Sequence, residues 1–262
     1  MSTGNILFRY RSLRDAAAKY TKRIICGNEL FFANPLTFND PFDCRPVFAI
    51  KAANSSIKSY YASVLKRQAP HLNRVARRTE AKRVAVDKDR NLTNPKNLAE
   101  FRASYDKTIT SRIGMLCLSE LADDPLMWSH YSDAHRGVCL AFDWRDPFFA
   151  KAQPVQYQVS RPTINPVFHS NDEMLEHALL TKSSQWNYER EWRIVHYRAG
   201  AGSYPFPPEA LVGVILGAQI SAADRELVKE WLNLRNSPIK VFEASLSTTE
   251  FKVHVHPPIS ET

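Results

Sequence analysis

The chain has 262 residues, 44% hydrophobic and 24% charged, enough for one large or two small soluble domains with a sizeable core. No apolar run approaches the roughly 20 residues that span a bilayer, and the opening MSTGNILFRYRS lacks the apolar stretch of a secretory signal, so a cytoplasmic protein without membrane contact is expected. The net charge of +8 and pI near 9.3 favour polyanionic partners. The scattered Cys26, Cys44, Cys117 and Cys139 form no Cys-x-x-Cys pair, which argues against structural zinc and against disulfides.

Alternation predicts a first strand over Ile6–Arg11, with Leu7, Arg9 and Arg11 on one face. LRDAAAKYTKRIIC has helical spacing and stops at Gly27. ELFFANP reads as a short strand closed by Pro35, and TFNDPFDC as turn chemistry. Residues 55–110 read as two or three strongly basic helices broken at NLTNPKN, a helical insert in a single domain spanning 1–262. IGMLCLSE is a buried-type strand ending at Ser119. DDPLMWSHYSDAHRG is a short helix with Asp124 as N-cap, Pro125 in the first turn and Gly137 as terminator. VCLAFDW and AQPVQYQV are strands, and Met174–Ser184 is helical. LVGVILG is a strand, the following helix is capped by Ser221, and IKVFEASLS and FKVHVHP close the chain as strands. The class is α+β with mixed, mostly antiparallel sheets.

The stretch WNYEREWRIV carries the densest chemistry. Read as a strand, it aligns Glu189, Glu191 and Arg193 on one face, the two carboxylates about 7 Å apart. Such a pair suits acid–base work, a metal, or sugar hydroxyls, and a salt-bridge ladder accounts for it equally. Trp128, Tyr131 and His135 form one helical stripe, either core or a stacking wall for a planar ring. Asp40 and Asp43 offer cation ligands or ordinary turn capping, and His254 and His256 alternate on the last strand. Phosphate-binding glycine loops and a Gly-x-Ser-x-Gly nucleophile turn are absent from the sequence. In the basic region Arg77, Arg78, Lys82 and Arg83 are candidate nucleic-acid contacts.

FRYRS, ELFFANPLTFNDPFDC, PLMWSHYSDAHRGVCLAFD, KSSQWNYEREWRIV and LVGVILG together resemble the bacterial domain-of-unknown-function 2971 family. The order of a first-strand Arg, a strand ending in Ser and a later Glu-x-Glu is similar to that of ADP-ribosyltransferases, which implies a split-sheet fold around an NAD site. By that resemblance Arg11 or Arg9 anchors the dinucleotide, Ser119 organises the nicotinamide pocket, and Trp128 or Tyr131 stacks on the base. Lys182 and Arg193 take phosphates, Glu191 is the catalytic carboxylate, and Glu189 orients the acceptor. Ser119 departs from the pattern in standing outside a Ser-Thr-Ser triplet. The resemblance implies an NAD-consuming toxin or phage-defence effector acting on DNA, RNA or protein without a metal, with an antitoxin as a partner. A non-catalytic nucleic-acid-binding module and a metal-dependent nuclease using Asp40, Asp43, Glu189 and Glu191 remain the alternatives.

Overall fold

A computed structural model describes residues 5–258. The chain divides into two compact units: residues up to 34, 112–157 and from 184 onward form the first, and 35–111 with 158–183 the second. The basic stretch 55–110 falls inside the second unit.

The first unit is built on an eight-stranded, mainly antiparallel sheet. Its strands are β1 (Ile6–Arg11), β4 (Gly114–Ser119), β5 (Val138–Asp143), β6 (Gln153–Pro154), β10 (Glu191–His196), β12 (Leu211–Leu216), β13 (Lys240–Leu246) and β14 (Val253–Val255). They lie in the order β14-β13-β12-β5-β1-β4-β10-β6, with β12 and β13 parallel. β2 (Glu29–Phe32) and β11 (Gly202–Pro205) make a separate antiparallel pair. β5 is central and apolar on both faces, as its uninterrupted VCLAF run requires.

Alternation along the strands makes two apolar layers. One face carries Leu7, Leu116, Leu118, Leu140, Phe142 and Ile194 under helices α1 (Asp15–Gly27) and α7 (Ala222–Asn233), which contribute Ile24, Ile25, Val228 and Trp231. The opposite face carries Phe8, Tyr10, Cys139, Ala141 and Ile215 against Met127 and Trp128 of α5 (Pro125–Tyr131). Caps explain where these helices begin: the Asp124 side chain accepts from the Met127 amide, and Ser221 from the Asp224 amide. The end of α1 agrees with the sequence expectation, and that of α5 differs. Gly27 is the last helical residue of α1 and Asn28 takes the left-handed position at φ 51. α5 stops at Tyr131, six residues before Gly137, and Asp133, Ala134 and His135 then run consecutively through left-handed backbone. Gly137 answers a different need, since a Cβ there would collide with the Arg11 carbonyl.

β1 follows β5 along its whole length but registers with β4 only at Phe8–Ser119. Further along, β4 turns its edge to β2 instead: Met115 exchanges both backbone hydrogen bonds with Ala33. Antiparallel pairing alternates edges, so Cys117 presents its carbonyl to the same side as Met115, toward β1. There the Arg9 guanidinium takes it, Nη1 to O at 3.0 Å. β1 and β4 are thus joined over a single register position, with the Arg9 side chain bridging them further along.

The second unit holds β3 (Val47–Phe48) paired in parallel with β8 (Thr163–Ile164), helices α2 (Asn54–Gln68), α3 (Arg74–Val86), α4 (Pro95–Arg112) and α6 (Asn171–Leu179), and β9 (Thr181–Ser183). β7 (Gln156–Gln158) spans the boundary of the two units. Phe48 packs edge-on against Phe101 and Tyr105 of α4. The expected break at NLTNPKN is real, with Pro95 opening α4. A full capping box starts α6 at Ser170 and Glu173, and the helix ends five residues before Ser184. Among the described residues no helix is long and apolar enough to cross a membrane.

Candidate functional site

The Glu-x-Glu-x-Arg row is half strand and half turn. Ser184–Glu189 is a 3-10 turn, Arg190 is left-handed at φ 45, and only from Glu191 does the chain enter β10. The expected strand over the whole of WNYEREWRIV is thus corrected: Glu189 does not share a strand face with Glu191. The reversal at Arg190 nonetheless brings the two carboxylates to the end of one strand pair. Ser119 ends β4 opposite Glu191, and its hydroxyl donates to the Glu189 carbonyl at 2.6 Å while accepting from the Leu121 amide at 3.0 Å. The serine so placed organises the turn that holds Glu189.

Each carboxylate has a fixed polar neighbour. Tyr131, on α5, donates its hydroxyl to Glu189 Oε1 at 2.6 Å. Arg193 lies two residues beyond Glu191 on the same strand face and grips it bidentately, Nε to Oε1 at 2.7 Å and Nη2 to Oε2 at 3.0 Å. Arg193 is fully buried, Glu191 is 4% exposed and Glu189 3%. The Glu191 amide donates to the Tyr157 hydroxyl at 2.8 Å. Sequence reasoning missed Tyr157: a single Tyr in AQPVQYQV carries no signal beyond its amphipathic ring.

The first-strand arginines lie elsewhere on the sheet. The row Phe8–Ser119–Glu191 defines one face, and alternation sends Arg9 and Arg11 to the other. Arg9 nevertheless reaches the Cys117 carbonyl of β4, and Arg11 Nε contacts the Thr21 hydroxyl at 3.4 Å. Among the described residues neither has a carboxylate partner, and the buried Arg9 Nε has no hydrogen-bond partner. Burial, then repulsion from Arg11, lowers the Arg9 pKa to about 10, and burial lowers that of Arg11.

Trp128 is fully buried, donates its indole N–H to the Ala122 carbonyl at 2.8 Å, and meets Tyr10 edge-on at 5.1 Å. It is core, which corrects its assignment as a stacking wall; the Tyr131 hydroxyl is tied to Glu189. Lys182 belongs to the second unit, where it is buried 3.8 Å from the Asp43 carboxylate. Asp43 also accepts from the Cys44 thiol at 3.3 Å, and Asp40 caps the Phe42 amide at 2.8 Å, the turn chemistry read from NDPFD. Among the described residues no group of three or more His, Cys, Asp or Glu side chains is arranged to hold a metal ion. The basic candidates of α3 separate into two kinds: Arg77 donates to the Leu72 carbonyl and Arg83 pairs with Glu80, whereas Arg78 and Lys82 are exposed.

Residues 127–194 match the family model described as Protein of unknown function (DUF2971), which bears out the family resemblance from α5 to β10, the stretch that carries Tyr131, Glu189, Glu191 and Arg193. No curated protein and no solved structure matches the chain.

Proposed function

We propose that the chain is an NAD-dependent ADP-ribosyltransferase-like enzyme, in which Glu189 and Glu191 meet the nicotinamide ribose and Arg9 and Arg11 hold the pyrophosphate beside the short pairing of β1 with β4. The observation that carries this proposal is the convergence of Ser119, Glu189 and Glu191 beside the short β1–β4 pairing, whose other face bears two guanidiniums without a carboxylate partner among the described residues. In the proposed reaction the ribose–nicotinamide bond breaks and nicotinamide leaves with the bonding electrons. Buried carboxylates stabilise the positive charge left on the ribose, more strongly than water-exposed ones would. The acceptor nucleophile then bonds to that carbon, and its proton passes to Glu189. Tyr131 fixes Glu189 and Arg193 fixes Glu191, so neither needs to reorient as charge develops. The enzyme is proposed to act in the cytoplasm, in keeping with four cysteines that are not joined in disulfides. A toxin or phage-defence role, with an antitoxin holding it silent, belongs to the same proposal.

The test uses NAD labelled on the adenylate, with DNA, RNA and lysate protein as separate acceptors, and the wild type beside Glu189→Gln. Glutamine keeps an oxygen for the Tyr131 hydroxyl, so melting temperature serves as the fold control. Labelled acceptor with the wild type and a loss on the order of 100-fold in the variant is the expected result. Absence of nicotinamide release with every acceptor overturns the proposal.

A further inference from the structure

The hairpin of α2 and α3 concentrates the charge of the whole chain. Residues 54–86 hold eight cations (Lys58, Lys66, Arg67, Arg74, Arg77, Arg78, Lys82 and Arg83) against the single carboxylate of Glu80, a net +7 out of a total of +8. Glu80 is already shared between Arg83 at 3.3 Å and Arg90 at 2.6 Å, so it neutralises nothing else. Arg77 is turned back on the Leu72 carbonyl at 2.6 Å.

What remains is an ordered row. Arg74, Arg78 and Lys82 follow one another at four-residue spacing, which stacks them on one side of α3 about 6 Å apart. All three are exposed, and none has an acidic partner among the described residues. Ala81 and Ala85 are buried and stand three and seven residues beyond Arg78, so the row runs along the flank of α3, beside its buried edge. Like charges repeated along a helix repel and cost stability unless something regular and negative lies against them.

We propose that this row binds the sugar–phosphate backbone of a nucleic acid. A regular line of cations, mostly arginine, suits a chain of evenly spaced phosphates, each able to accept from a guanidinium. The exposed large apolar residues of α3 are only Val75 and Val86, too small a surface to enter a lipid interface, which needs a broad face of larger side chains. Contacts of this kind position the partner and carry no base specificity. The surface is independent of the carboxylate site: binding is measured without NAD and stands whether or not Glu189 and Glu191 transfer ADP-ribose.

The experiment is fluorescence anisotropy of the full chain with a mixed-sequence duplex DNA and a single-stranded RNA, across 50 to 200 mM salt, with poly-glutamate as the acidic-polypeptide probe. Arg74→Glu/Arg78→Glu/Lys82→Glu is compared with Lys19→Glu/Lys22→Glu/Lys240→Glu, which changes the net charge equally at exposed sites of the other unit. The expected result is salt-dependent binding by the wild type, weakened roughly 30-fold or more in the first variant and under threefold in the second, following the loss of about three phosphate contacts. The milder Arg74→Gln/Arg78→Gln/Lys82→Gln repeats the comparison if reversal disturbs folding, read by circular dichroism. Equal weakening in the two reversals, no binding by the wild type, or poly-glutamate bound as tightly as nucleic acid each overturns the proposal.

Discussion

The two charged regions of this chain obey opposite rules. At the end of β10, Arg193 is wholly enclosed and Glu191 takes it with both oxygens. On α3, one half-exposed Glu80 serves two arginines while Arg74, Arg78 and Lys82 stand in water. Desolvated ions need an opposite charge or hydrogen bonds to be tolerated, whereas solvated ones are screened and need no partner. Charge held in the interior is therefore fixed in place by its partners, and charge left on the surface needs none within the chain.

The contrast is broken most severely from the buried side. Glu191→Ala strands Arg193 without the carboxylate on its own strand, and a loss of about 3–5 kcal/mol is expected on urea unfolding. Arg193→Ala gives a comparable loss from the other partner. Replacing both at once by leucine and methionine restores much of the stability, because an apolar pair pays no desolvation cost. A loss below about 1 kcal/mol in either single variant places the pair in the solvated class with Glu80. It also follows that Glu191 variants confound folding with activity, which is why Glu189 carries the catalytic test.

A smaller effect is expected from two histidines of the same unit. Burial lowers the pKa of both His135 and His196, and the Nδ1 of each is buried with no hydrogen-bond partner among the described residues. A base whose folded pKa is lowered binds fewer protons folded than unfolded, so stability rises with pH there. The protein should lose stability as pH falls through the ordinary histidine range near 6.5, most visibly in melts between pH 7 and 5. His196 stacks on Phe32 with ring centroids 4.0 Å apart, so His196→Phe keeps the packing and should flatten that acid limb. An unchanged limb in the variant removes His196 as a cause.

How far the sequence disclosed this arrangement depends on the kind of signal. β1 and β5 were legible because alternation and an unbroken apolar run report burial directly. The starts of α5 and α7 were legible because Asp124 and Ser221 do local capping work. The turn at Arg190 was not, since alternating charges look alike in a strand and in a 3-10 turn. Nor were the left-handed residues after α5: Ala134 and His135 have no intrinsic wish for that backbone, and only tertiary contacts impose it, such as the Gln219 amide bonding to the His135 carbonyl at 2.9 Å. Glu189 and Glu191 were named from their spacing, yet their proximity to Ser119 arises from a register joining residues some 70 positions apart. The same limit hid the difference between Arg77 and Arg78, neighbours in sequence with one satisfied inside the fold and the other outside.

The smallest effect probes the exposed side. Glu80→Gln removes the carboxylate that Arg83 and Arg90 share, and because those pairs are solvated the cost should stay under about 1 kcal/mol. Its consequence for binding runs the other way. Arg83 and Arg90 lose their internal counterion, the hairpin gains a unit of positive charge, and duplex affinity at 50 mM salt should rise about two- to threefold, a gain that fades at 200 mM as screening shortens. A variant that is strongly destabilised shows Glu80 to be structural in the manner of Glu191. One that is stable but binds no tighter separates the row on α3 from the electrostatics of the rest of the hairpin, leaving Arg74, Arg78 and Lys82 to act by contact alone.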